Sequence, residues 1–413
     1  MSETVQFVLA LGLLIGFAKA MGYLAYRFNQ PAVLGELLAG VIAGPTLINL
    51  LGNANLFSHG EDVTHTLIEV AEIGVLMLMF MAGLEVDPKN LLDVGKPALL
   101  AGVIGVIVPL VVITPVITLF GYTVEKALFL GILLAATSTS ITAQVMLELG
   151  VLQKREGLTL LGAALVDDAA VILLISLFLA INPGGVVAVE TTRPILEVIV
   201  RIIGFLVIGS LASWVLLPRL ANWVADLPIS AGALMFAFVA MLLLSVAAEF
   251  FGGVAAITGA FLAGVCIRRA RHSVVETIER GLHSLSYAFV VPLFFVSIGL
   301  QANLRLLTLD LLPFALVLTL TAVLAKMIGA GGGARIGGFD NTSALRVGLG
   351  MISRGEVGLI IATIGVTYGV LSEAAFTVVV FVVLVTTVIT PPLVRWSFHQ
   401  RGTQPIEEAA LAD

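Results

Sequence analysis

Charge is what this sequence has least of. Asp, Glu, Lys and Arg make up only 12% of its 413 residues, too few to coat a water-soluble globule of this size. A single cysteine, Cys266, excludes an intrachain disulfide and makes cysteine-based metal clusters untenable. The five histidines, His59, His65, His272, His283 and His399, fall in expected loops or at helix ends, which argues against a histidine relay. No phosphate-cradling loop or nucleophile elbow occurs in a strand-to-helix setting, and Gly331 to Gly333 instead closes an apolar run. The first segment opens on the acidic Ser2-Glu3 where a signal peptide would be basic, so it reads as a helix that is retained. What is there is apolar: hydrophobic residues reach 59% and the mean hydropathy is +1.11. Runs of about 20 such residues, each enough to cross roughly 30 Å of hydrocarbon, follow one another along the chain. The expected class is an all-α polytopic membrane protein in a lipid bilayer, not an enzyme, with no cofactor and no nucleic-acid partner.

Charged, Gly/Pro and Asn-rich punctuation divides the runs into about 13 helices, near 4–27, 31–51, 64–84, 96–120, 125–150, 156–181, 194–224, 229–250, 253–269, 277–300, 309–335, 342–369 and 372–397. Arg27, Lys89, Lys96, Lys154, Arg155, Arg219, Arg268, Arg269, Arg271, Arg335 and Arg346 lie in one set of connections, and Arg395 and Arg401 follow on the same side. The other set holds little beyond Lys126, Arg193 and Arg305. By the positive-inside rule the N-terminus is outside and the C-terminus cytoplasmic, in the inner (plasma) membrane. With the helix near 194–224 as connector, the remainder splits into two six-helix groups of opposite starting orientation, that is, inverted repeats. The fifth helix of each group is interrupted by polar or glycine-containing stretches, Ala136 to Thr142 and Ser353 to Gly358. Paired interruptions of this kind point to broken helices crossing at the midplane around a binding site.

A charge at the bilayer centre costs roughly 3 kcal/mol on insertion scales, so deep ionisable residues are functional candidates. Asp167 and Asp168 fall mid-way along an otherwise apolar helix. Neighbours on a helix point about 100° apart, so the two carboxylates serve different places. Lys326, deep in the run near 309–335, is the natural partner of Asp167, which leaves Asp168 as the carboxylate that takes a hard cation such as Na+ through oxygen, or a proton, but not both. Such competition is sufficient for exchange. The alternative, an Asp-Lys pair that only fixes helix packing, is weakened because buried pairs stabilise poorly and a double acid has no packing rationale. Thr137, Ser138, Thr139, Ser140 and Thr142 can offer hydroxyl and freed carbonyl oxygens to the ion, or simply bond back to their own helix. Arg354 and Glu356, two apart, suit opposite dipole ends of a broken helix better than direct ion binding. Glu36, Glu85 and Glu249 read as acids at the membrane interface. A sodium-coupled organic-acid symporter of related architecture would want more deep cations than Lys326 and Arg354, and a gated channel would have no need of the Asp167-Lys326 pair.

These residues, in order, resemble the second cation/proton antiporter family over nearly the whole chain: Leu34-Gly-Glu-Leu-Leu-Ala-Gly40 with Gly44-Pro45, Ala82-Gly-Leu-Glu85, Ala136-Thr-Ser138, Asp167-Asp168, Gly259-Ala-Phe-Leu-Ala-Gly264, Phe294-Phe-Val-Ser-Ile-Gly299, Lys326 and Arg354-Gly-Glu-Val-Gly-Leu359. The resemblance implies a homodimer working as an elevator. Dimerisation-domain helices would occupy 1–94 and 227–305, core-domain helices 95–181 and 306–400, a linker helix 182–226 and a cytoplasmic tail 401–413. It implies Asp168 as the ion and proton carrier, Asp167 as the lysine-paired acid, and Thr137 and Ser138 beside the ion. Potassium-efflux members carry an amide before a single acid, so Asp167 implies Na+ or Li+ and electrogenic exchange, with K+/H+ exchange the alternative. Those members also continue into a cytosolic nucleotide-binding domain, and regulation of that kind is not expected of a sequence running to Asp413.

Overall fold

The computed structural model describes residues 2–53, 56–86, 93–181, 195–367 and 369–399. Among them every regular element is helical and no strand occurs, as the absence of hydrogen-bonding solvent in hydrocarbon requires of an open chain. We number the α-helices α1 (Glu3–Arg27), α2 (Ala32–Ala43), α3 (Gly60–Glu85), α4 (Gly95–Leu119), α5 (Val124–Ala135), α6 (Thr139–Glu148), α7 (Arg155–Ile181), α8 (Ile195–Gly204), α9 (Ser210–Ala225), α10 (Gly232–Ala247), α11 (Ala256–Ile267), α12 (His272–Leu285), α13 (Val291–Leu300), α14 (Leu312–Ile336), α15 (Asn341–Gly350), α16 (Glu356–Thr367) and α17 (Glu373–His399). Short π-helical turns join α8 to α9 at Phe205–Gly209, extend α10 over Ala248–Gly252 and join α12 to α13 at Ser286–Val290. Among the described residues, ten helical segments are long and apolar enough to span a bilayer.

The span expected near 31–51 is shorter than its apolar run. α2 stops at Ala43, with Gly44 extended at ψ −177°, because Pro45 disfavours the helical region for the residue before it. The chain then turns through Gly44 to Asn53. Asn29, Asn49 and Ala231 adopt positive φ at turns beside helix ends.

Two buried apolar clusters organise the bundle. The larger unites α1, α2, α3 and α10 to α13 and runs on into α6, α7, α14, α15 and α17. The other draws mainly on α4, α5, α14, α16 and α17, with Ile113, Phe129, Leu318 and Val379 fully buried. Helix α4 packs most extensively on α14, and α3 on α11. Two of the quoted motif pairs are close helix crossings. A Cβ on Gly264 would meet Phe80 O at 2.1 Å, and one on Gly83 would meet Phe261 O at 2.2 Å. Likewise a Cβ on Gly40 would strike Val296 O at 2.1 Å, and one on Gly299 would strike Val41 N at 2.3 Å. Glycine at these four positions lets backbones touch, the packing mode available where lipid removes the hydrophobic driving force. The outward faces of α8 and α9 carry Leu196, Val200, Ile203, Leu211 and Leu216, all exposed, as a lipid-facing surface does.

Candidate ion site

Helices α5 and α6 form one apolar segment with an interruption, α15 and α16 are likewise separated by a short non-helical stretch, and the two interruptions lie against each other. Serine and threonine hydroxyls compete with the helix for its own backbone groups, and at Ala136 (ψ 142°) and Ser138 (ψ 105°) the chain is extended. The second break runs from Met351 to Gly355. Ser138 N donates to Ser353 O at 3.0 Å, and Ser353 Oγ donates to Ser138 O at 3.0 Å. Thr142 Oγ1 donates to Gly350 O at 2.5 Å and lies 3.2 Å from Ser353 Oγ; Thr137 Oγ1 reaches Met351 O at 3.5 Å. A Cβ on Gly355 would sit 2.6 Å from Ser138 Oγ, so glycine is what lets the breaks meet. Each break thus satisfies backbone groups that its partner helix has freed.

Two buried cations close the carbonyl ends of the half-helices. Lys326 on α14 donates to Ala135 O, the last residue of α5, at 2.7 Å, and to Asp167 Oδ1 at 2.5 Å, with both charged side chains wholly inaccessible. Arg354 donates from Nη1 to Ile352 O at 2.7 Å and Met351 O at 3.2 Å, just past the end of α15, and from Nη2 to Ala322 O on α14 at 3.3 Å. Cations at helix C-termini are favoured by the macrodipole. Asp167 and Asp168 are both buried on α7. Asp167 Oδ2 accepts no hydrogen bond from the described residues.

The structure therefore brings together Thr137, Ser138, Asp167, Asp168, Lys326 and Arg354. Glu356 opens α16, and its side chain lies outside the described residues, as do Lys89, Arg193 and Arg401. Thr139 and Ser140 belong to the first turn of α6 instead of the break. Thr137 and Ser138 line one end of a narrow cavity with room for about one water molecule. It follows α6 and α7 to Leu152 and Gly157, beside the loop that carries Lys154 and Arg155, and Ala164 on its wall is one turn from Asp168.

One expected interface acid is misplaced: Glu36 is buried within α2 and paired with Lys19 of α1 at 2.9 Å. Glu249, in contrast, is exposed. A residue that sequence reasoning passed over is Thr387, which donates to Arg354 O at 2.5 Å and fixes the second break. Thr386 and Thr390, beside it on α17, bond back to Val382 O and Thr386 O of their own helix. The sequence signal is three hydroxyls in one apolar run; it does not say which one reaches out.

Thr142 holds the two breaks together through a single hydroxyl. Thr142→Val, equal in shape, removes both bonds, and we expect it to weaken cation-dependent exchange several-fold while costing about 1–3 kcal/mol for the carbonyl left buried. Thr142→Ser is expected to restore exchange. Transport and thermal denaturation of the two variants, measured side by side, check this.

The sequence model of the family described as sodium/hydrogen exchanger, transmembrane, matches residues 12–398. The Na(+)/H(+)-K(+) antiporter GerN of Bacillus cereus is 36% identical over 396 residues, which are 95% of this chain and 96% of that protein. The Na(+)/H(+) antiporter of Enterococcus hirae is 35% identical over 394 residues, 95% of this chain and 98% of that one. Among solved structures, the sodium proton antiporter MjNhaP1 from Methanocaldococcus jannaschii at pH 8 aligns with a TM-score of 0.71 over 96% of this chain and 98% of that one, at 16% identity. That likeness speaks for the fold.

Proposed function

The chain belongs to the transmembrane sodium/hydrogen exchanger family, a family of transporters and not of enzymes, and from that premise we propose that it exchanges Na+ or Li+ for H+ at a site centred on Asp168. The observation that carries this reading is the Asp167-Lys326 ion pair at 2.5 Å beside two mutually bonded helix breaks. With Asp167 paired, its neighbour on α7 carries the competition. Deprotonated Asp168 attracts the cation, and Thr137 and Ser138 replace part of its water shell. When Asp168 takes a proton the cation leaves. Arg354 and Glu356 support the broken helix electrostatically. Because Asp167 can also accept a proton when its pair with Lys326 opens, more than one proton can move per cation, which makes the exchange electrogenic.

The same reading counts about 13 spans, with α5/α6 and α15/α16 each taken as one, arranged as two inverted six-helix repeats. The reciprocal bonding of the two breaks supports it. Core helices at 95–181 and 306–400 would move as an elevator against a homodimeric scaffold at 1–94 and 227–305, with 182–226 as linker; the smaller apolar cluster, drawn from core helices alone, supports that division. The Lys154-Arg155 loop would be cytoplasmic, so the cavity beside it opens inward, with the N-terminus outside and the tail 401–413 in the cytoplasm of the plasma membrane.

The test is proton flux in proteoliposomes against gradients of Na+, Li+ and K+. Flux driven by Na+ and Li+ and accelerated by clamping the membrane potential is expected. K+ belongs in the series because the Bacillus cereus relative carries K+ in its name. Flux driven by K+ alone would overturn the assignment of the cation, and cation movement without proton counterflow would overturn exchange.

A further inference from the structure

Helix α2 begins without a cap of its own. Pro31 stands at its N-cap, which offers no side-chain acceptor, and no acid occupies its first turn. The acceptor comes from far along the chain: Glu148 Oε2 takes Ala32 N–H at 2.8 Å and Glu148 Oε1 takes Val33 N–H at 3.3 Å. Glu148 is the last residue of α6, the half-helix whose other end meets the second break. An acid at a helix C-terminus opposes that helix's own dipole. Its placement serves α2, and Gln144, one turn earlier on α6, steadies it by donating from Nε2 to Oε1 at 2.9 Å.

We propose that Glu148 is a positioning residue, a carboxylate latch that holds the ion-site half-helix α6 against α2 in this conformation and must let go for the site to change sides. This rests on the exchange reading above, since exchange through one site requires the elements around that site to move against the rest. A contact made in only one conformation stabilises that conformation alone and slows departure from it. The attraction depends on charge: the anion is drawn to the N-terminus of α2, and a proton on it removes that pull. Glu148 keeps part of its surface open to solvent, while its carboxylate lies among three donors, Ala32 N, Val33 N and Gln144 Nε2. The charged and titratable groups acting on it are Lys19 of α1, Glu36 of α2 and Tyr287. Helices α3, α7 and α17 also pack on α6, and α3 ends on Glu85, which shares Tyr287 as a neighbour with Glu148. On α7, Glu156 is engaged by Arg346 and Ser343, and Arg155 lies over the Phe339 ring; Arg395 of α17 is half-buried.

Two variants reach the contact from opposite sides. Glu148→Gln keeps the shape and removes the charge. Ala32→Pro removes the N–H donor at the first helical position, where proline is well tolerated. Exchange is measured in proteoliposomes across a pH series for wild type, both single variants and the double variant. The latch predicts turnover about threefold to fivefold above wild type at alkaline pH for each single variant, the loss expected of one helix cap. Glu148→Gln is expected to converge on wild type in acid, where both are uncharged, and the double variant to add nothing. Rates that are unchanged, slower, offset by a constant factor at every pH, or additive in the double variant would overturn it. Asp168→Asn in the same vesicles separates the two readings: retained exchange there defeats the ion-site assignment, whereas abolished exchange there with wild-type behaviour in the Glu148 series defeats the latch alone.

Discussion

Proteoliposomes containing Asp168→Asn are expected to show sodium-driven proton flux reduced about a hundredfold or more, equivalent to about 2.7 kcal/mol of lost interaction. Asparagine has the size of aspartate, so the packing of α7 survives, but it neither attracts a cation nor takes up a proton in the working range. Both halves of the competition vanish together. The protein should remain folded, because asparagine fills the same space and keeps an acceptor oxygen for its neighbours. Gel filtration and thermal denaturation alongside the flux assay separate loss of the site from loss of the fold. Undiminished flux from a folded Asp168→Asn variant would contradict the assignment.

Lys326→Ala carries the largest expected change in stability. Lys326 and Asp167 have no accessible surface, and removing one member of such a pair leaves an uncompensated charge that costs about 3–5 kcal/mol. The last carbonyl of α5 loses its donor as well. The penalty should shrink in acid, where a proton can neutralise Asp167, and grow as the pH rises. Adding Asp167→Asn to Lys326→Ala should recover most of the loss, since the double variant leaves no orphaned charge. Denaturation midpoints for the two single variants and the double variant across pH measure this coupling. A double variant as unstable as Lys326→Ala would show that the lysine acts through Ala135 or packing and not through Asp167.

The Asp167-Lys326 pair was legible in the sequence because burial of charge is rare enough to be informative. Asp167, Asp168 and Lys326 stand out against apolar runs, and helical geometry divides the two acids. The breaks were legible for a related reason: clustered hydroxyls and a glycine beside Arg354 are poor material for a span. The sequence does not say what each polar group bonds to. Arg354 turns to the carbonyls of Met351, Ile352 and Ala322, and Thr387, not its neighbours, fixes the second break. Those choices depend on rotations and separations between helices that one-dimensional periodicity does not carry. Glu36 misled because proximity to Gly35 suggested a helix end within reach of water, whereas the neighbouring α1 supplies Lys19. Glu148 drew no attention for the opposite reason: an acid at the end of a span looks like an ordinary interface residue until the bare N-terminus of α2 is found beside it. The glycine motifs carry a related lesson. Gly40, Gly83, Gly264 and Gly299 make backbone crossings among α2, α3, α11 and α13; their part is to keep these helices close.

Competition between cation and proton at Asp168 is the central claim, and sodium affinity measured by titration calorimetry on the purified protein across a pH series tests it most directly. Competition predicts that the apparent dissociation constant rises at least about tenfold for each unit of pH below the site's titration and levels off above it, with one or more protons released on binding. The dependence should vanish in Asp168→Asn along with measurable binding. A sodium affinity that is independent of pH in the wild type, or a pH dependence that persists in Asp168→Asn, would contradict the account.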